Sequence, residues 1–198
     1  MLVLLLAGPG WFKAILVLVW AKLTGTPYNE LGYVRPKSWM LTLLTGVILG
    51  GAFKLIMKAV VMPLFGADPI NHTYHFLVGN IAALPAMLFT MIVTAGFGEE
   101  TVFRGYLFER LKKLFGRGRN ATIAIVLISS AIFAILHYPD QGIAGVEQAF
   151  CTGIFFATLF LFAGHLWLPM VAHAAFDLTA VAIIYCNIES EVAHCLFK

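Results

Sequence analysis

Three short motifs set ionisable side chains at spacings that could do chemistry. GEETVFRG holds Glu99, Glu100 and Arg104, FAILH ends on His137, and HAAFD holds His173 and Asp177. Carboxylates, imidazoles and a guanidinium together can activate water, move a proton and stabilise a developing negative charge. On a helix each residue advances about 100°, so residues four apart share a face. Glu100 and Arg104 are such a pair, and a salt bridge is the economical reading. Glu99 is turned away from them and has Phe103 four residues on. A carboxylate with no partner on its own helix, set against an apolar wall, suits a general base. Phe133 and His137 are four apart, as are His173 and Asp177. A buried polar network gluing helices together is the plain alternative for all three motifs. It accounts well for Glu100 with Arg104, and poorly for an unpaired Glu99 and two histidines.

The elements that must position these groups are oily. The chain has 198 residues, 61% hydrophobic and only 12% charged, against about half and a quarter in soluble domains. This predicts an all-α fold, a polytopic transmembrane helical bundle of about six to eight helices with a polar intramembrane site. Residues 1–198 are expected to form a single membrane domain, without a cleaved signal peptide. Six apolar stretches approach the ~20 residues of a span, near 1–23, 39–65, 76–97, 121–138, 147–164 and 167–186. None alternates with period two, which argues for helices over strands. Residues 99–115 predict a further, separate helix, too charged at its end for an ordinary span.

The loops differ in charge. Arg35 and Lys37 lie in 24–38, and Arg110, Lys112, Lys113, Arg117 and Arg119 crowd 110–120, whereas 65–75 has no Lys or Arg. Positive-inside bias places 24–38 and 110–120 in the cytosol and 65–75 outside. The expected partners are the lipid bilayer and a membrane-associated peptide or protein. With a net charge of +3 and no basic stripe, nucleic acid is not expected. Lys13, Lys54 and Lys58 read as snorkelling cations, and Trp11, Trp20, Trp39 and Trp167 as interface anchors. Cys151 reads as an inert thiol, while Cys186 and Cys195 could pair in an oxidising compartment. His72 and His75 read as solvated loop residues, and His165 and His194 carry no motif.

EETVFR at 99–104, FAILH at 133–137 and HAAFD at 173–177, in that order, resemble the CAAX-processing and bacteriocin-processing (Abi) intramembrane proteases. That family's pattern is EExxxR, FxxxH, then HxxxN or HxxxD, on separate membrane helices. EETVFRGYLFERL, LWLPMVAHAAFD and LGYVRP extend the likeness, over about residues 28–185. The resemblance implies hydrolysis of a peptide bond of a membrane-associated protein, prenylated CAAX-type ends included. It implies Glu99 as the group that activates water, helped by His137. Glu100 and Arg104 match the supporting pair, and His173 and Asp177 the groups facing the oxyanion. It also implies a multi-pass protein of a prokaryotic plasma membrane.

An ionised Asp177 would repel an oxyanion, so Asp177 is protonated, orients His173, or binds a cation. No cofactor is favoured. If a metal is bound, His137, His173 and Glu99 are the candidate ligands, and such a set suits zinc. A proton-coupled transporter and a non-catalytic immunity or scaffolding member of the same family stand as rival functions. The simple up-and-down arrangement also places His137 and His173 at different depths. A broken or re-entrant segment is then needed, with Gly96, Gly98 and Gly153 as candidate sites.

Overall fold

The computed structural model describes residues 9–196. Among them the chain is helical with no strand, as its composition predicts. The elements are α1 (Gly10–Leu23), α2 (Trp39–Leu64), α3 (Ile81–Phe115), α4 (Arg119–Ile135), α5 (Tyr138–Ala163), α6 (Trp167–Tyr185) and the short α7 (Glu189–Ala193). Four of them, α2, α3, α5 and α6, are long and apolar enough to cross a membrane. Two of the six expected spans fall short of that. α4 is a 17-residue helix, stopped where the chain turns through His137 and Pro139, and α1 is described over only 14 residues. The first nine residues of the expected 1–23 span contribute no described helix, and 1–8 lie outside the described residues.

α3 corrects a second expectation. The stretches 76–97 and 99–115 are not two helices but one 35-residue segment, entered at Ile81 after the Asn80 side chain accepts from the Ala83 amide. Thr90–Glu99 and Thr101–Leu107 are wound as π turns, which widen the helix without ending it. At up to 1.5 Å per residue the segment outruns a ~30 Å hydrocarbon layer. Part of its excess is the polar C-terminal stretch Phe108–Phe115, where Glu109 pairs with Arg110 and Lys113.

The two ends of the bundle are well defined by contacts. At one end Arg110 donates to Thr26, Lys113 pairs with Glu30 at 3.4 Å, and the Leu166 amide donates to Gly32 O. Trp39 and Trp167 meet edge to face there at 5.2 Å. At the other end the Thr73 hydroxyl donates to Asp140 O, and buried Glu189 accepts from Lys58 at 3.1 Å and from the Asn71 amide at 3.0 Å. The basic loops thus share one end and 65–75 lies at the other.

α2 and α6 form the tightest pair. Thr42, Gly46, Gly50 and Lys54 recur every four residues on α2 and are buried, while Leu43, Leu44, Val47 and Ile48 between them are exposed. A stripe of small residues lets helix backbones approach where lipid-facing side chains cannot drive association. A Cβ on Gly50 would come 2.0 Å from Ala172 O, so only glycine fits. Exposed leucine and isoleucine side chains of this density would be a liability in water and are a fit surface for lipid.

Candidate active site

The site is built around a buried carboxylate. Glu100 Oε1 accepts from Arg104 at 2.8 Å and from His173 Nδ1 at 2.7 Å. Glu100 is fully buried and Arg104 is 1% exposed. The guanidinium also donates to Gly153 O at 2.9 Å on α5 and lies 4.9 Å from the Phe133 ring on α4. The expected pair of Glu100 with Arg104 is therefore present, and it reaches two further helices. Gly153 is no break: it sits in unbroken helix, where a Cβ would press on Ser130 of α4 at 2.9 Å.

His173 is fixed from three sides. Its ring stacks on Phe156 at 4.5 Å, and Phe133 meets it edge to face at 6.1 Å. With Nδ1 donating to Glu100, the outward nitrogen is Nε2. Nε2 faces Asp177 Oδ2 at 3.5 Å and Glu99 Oε2 at 3.9 Å. Both carboxylates are partly exposed, their side chains 21% and 26%, in contrast to Glu100. Adjacent glutamates thus have separate surroundings, one sealed in the protein and one on a cavity.

That cavity, about 340 Å³, is lined by Glu99, His137, His173 and Asp177, with Val102, Phe103 and Phe133 as its apolar wall. It extends to Asn71, Tyr74 and Asp140 at the end of the bundle opposite the basic loops. His137 Nδ1 donates to Phe133 O at 2.8 Å, which leaves its Nε2 free. His137 makes no direct hydrogen bond to the other five residues among the described ones, and joins them through Phe133 and the shared cavity.

The depth mismatch between the histidines disappears in an offset. Phe133, one turn before His137, is the residue level with His173, and Asp177 is one turn beyond His173. α4 enters the bundle lower than α6, since its Ile125 already packs with Phe160, Leu166 and Met170. The chain then turns back at Gly142, whose φ of +61° interrupts α5 near its start. No re-entrant segment is needed, and the reversal falls at Gly142 rather than at Gly96, Gly98 or Gly153.

A metal requires three or more ligands at one point, about 2.0–2.2 Å from it. Among the described residues no three His, Cys, Asp or Glu side chains converge in that way. The donor set as arranged does not bring together the ligands a resident zinc ion needs.

The sequence reading missed several residues at the site. Lys54 does not snorkel: it is 7% exposed and its Nζ donates to Gln148 Oε1 at 3.0 Å, above the Phe176 ring. Lys58 is likewise held inside, by Glu189, and Lys13 lies on the cavity wall. Tyr33, from the 24–38 loop, bonds to Thr101 Oγ1 at 2.7 Å, and Thr101 donates to Phe97 O at 2.7 Å. Burial pushes the Tyr33 hydroxyl up to about 12, an effect the Thr101 bond only partly offsets. His72 bonds to Asp68 on the exposed loop as expected, while His75 approaches buried Glu189 at 3.7 Å. The three cysteines are free thiols.

The family model of the type II CAAX prenyl endopeptidase Rce1-like proteins matches residues 81–179, half of the chain. The matched stretch carries Glu99, Glu100, Arg104, His137, His173 and Asp177, and excludes α1 and α2. No curated protein and no solved structure gives a match.

Proposed function

This chain belongs to the Rce1-like family of type II CAAX prenyl endopeptidases, and from that premise we propose that it hydrolyses a peptide bond of a membrane-associated, CAAX-type substrate by water activated at Glu99. The observation that carries the proposal is the division of labour around His173. Sealed Glu100 holds Nδ1, and Nε2 is presented to the cavity beside Glu99. The geometry suits a general base and a positioned imidazole on either side of a reacting carbonyl.

In this mechanism the scissile carbonyl enters between the Glu99 carboxylate and His173 Nε2. A water held by Glu99, with His137 on the same wall, loses a proton to Glu99 as its oxygen attacks the carbonyl carbon. The carbonyl π electrons move to oxygen, and the protonated His173 ring donates from Nε2 to the oxyanion. Collapse breaks the C–N bond, and Glu99 returns its proton to the leaving nitrogen. One water is consumed, and a carboxylic acid and an amine result. Glu100 and Arg104 act through His173: Glu100 holds Nδ1–H and so directs Nε2–H at the cavity. Asp177, at 3.5 Å, orients the same Nε2 rather than contacting the oxyanion. The basic end is proposed to face the cytosol, by the positive-inside rule.

Purified protein in detergent, incubated with prenylated CAAX peptides, tests the reading. Cleavage that falls to background in Glu99→Gln and His173→Ala, with thermal stability of the glutamine variant unchanged, supports it. Cleavage retained in folded Glu99→Gln defeats the mechanism. A folded wild-type protein that cleaves nothing in the panel defeats the function.

A further inference from the structure

Lys54 is a buried cation without a salt bridge among the described residues. Its ammonium has three donors and one bond, to the neutral Gln148 amide. The contrast with Lys58, one turn on and paired with Glu189 at 3.1 Å, is sharp. A buried charge with no direct ion pair is costly among helices and persists mainly where it works. Lys54 also stands in a particular place. With Gln148 and Asn71 it lines both the catalytic cavity and a second one, of about 500 Å³. Gln148 Oε1 is taken by Lys54, which leaves its NH₂ group as a further donor on the cavity wall.

The position relative to the reacting groups is informative. Phe176, under the Lys54 ammonium at 4.8 Å, follows His173 by three residues on α6. That is a rise of about 4.5 Å, which places Lys54 beyond the Glu99–His173 layer, on the side of Asp177. A CAAX end carries three residues beyond its prenylated cysteine, and the last bears a free carboxylate.

We propose that Lys54, with the Gln148 amide, receives the substrate's C-terminal carboxylate, and that the second cavity takes the last residue's side chain. The assignment rests on the protease reading above. It makes Lys54 the ruler that places the bond three residues from the C-terminus at Glu99. The second cavity suits that side chain, since Met62, Ile70, Ile183 and Ile184 supply apolar wall. Of the acids near Lys54, Glu189 is held by Lys58 and the Asn71 amide, and Asp177 faces His173 Nε2.

The test compares two prenylated CAAX peptides identical but for a free C-terminal carboxylate or a carboxamide. They are assayed on full-length wild type, Lys54→Gln and Lys54→Arg. A charge-assisted bond to carboxylate predicts that wild type prefers the acid by about tenfold to a hundredfold in kcat/KM. In Lys54→Gln the ratio of acid to carboxamide kcat/KM should fall toward one, and Lys54→Arg should regain part of it. Equal cleavage of both peptides by wild type, or an equal loss of both in Lys54→Gln, overturns the proposal. If folded wild type cleaves neither peptide, the protease reading falls. The Lys54 site is then decided by calorimetric binding of the free tripeptide acid and its amide. Acid-selective binding lost in Lys54→Gln upholds it, and unselective or absent binding overturns it.

Discussion

Glu100 Oε1 and His173 Nδ1 lie 2.7 Å apart although 73 residues separate them in the chain. The same oxygen takes the Arg104 guanidinium at 2.8 Å. One buried carboxylate therefore does two jobs, closing a helix-to-helix ion pair and setting the direction of an imidazole. Glu99, the next residue, does neither.

This separates the two glutamates experimentally. Glu99→Gln should lower kcat by about 10²–10⁴ or more with little change in melting temperature. Glu100→Gln should lower kcat as well, and also cost about 3–5 kcal/mol of stability, because Arg104 is left buried without its anion. Steady-state kinetics beside thermal unfolding in the same detergent checks both. Equal stability of the two variants would contradict the assignment.

Much of this was legible in the residues. The oily runs announce the helices, and the four-residue spacing of Glu100 with Arg104 and of His173 with Asp177 announces the pairs. Two things were not. Gly96 and Gly98 look like breaks, yet the π turns of α3 absorb them while their bare faces meet Met170 O and Gly10. Lys54 looks like a snorkelling cation when taken alone. Its place in the buried series Thr42, Gly46, Gly50, Lys54 would have put it on the packed face of α2, away from lipid. That signal is periodic rather than compositional, and an inspection of single charges passes over it.

The approach of α2 to α6 gives a second prediction. Gly50→Ala sets a methyl 2.0 Å from Ala172 O, backbone that cannot swing aside. The variant should lose about 1–3 kcal/mol even though alanine is the better helix former. Gly51→Ala, one residue on, meets only Thr179 Oγ1 at 3.4 Å and should be neutral or gain up to ~1 kcal/mol. Because Ala172 adjoins His173, Gly50→Ala should also reduce kcat, whereas Gly51→Ala should not. Paired unfolding and activity measurements decide it.

Tyr33 gives a pH dependence. Burial holds its hydroxyl at about 12 in the folded protein, above the ordinary 10. The folded state thus favours the protonated form. That contribution is fully present below pH 10 and is lost as pH rises through 12. It amounts to ~2–3 kcal/mol at most. Wild type should destabilise across that window more steeply than Tyr33→Phe, as read by unfolding at stepped pH. Parallel profiles for the two proteins would remove Tyr33 as a buried, bonded phenol.

The donor arrangement bears on metal dependence. No three His, Cys, Asp or Glu ligands converge at one point among the described residues. Exhaustive dialysis against a chelator should therefore leave kcat/KM unchanged. Activity lost on chelation and restored by stoichiometric zinc would show that these side chains rearrange around a metal.

Orientation in the membrane can be read from the thiols already present. Cys186 and Cys195 are exposed at the end of the bundle that carries 65–75, whereas Cys151 lies half-buried within α5. Arg35, Lys37, Arg110, Lys112, Lys113, Arg117 and Arg119 gather at the opposite end. If that basic end faces the cytosol, a membrane-impermeant maleimide added to intact cells should label Cys186 and Cys195. Cys186→Ser with Cys195→Ser should abolish the label, and Cys151 should react only after unfolding. Labelling that requires broken cells would invert the bundle. The catalytic cavity, which extends toward Asn71, Tyr74 and Asp140, would then receive its substrate from the cytosolic side.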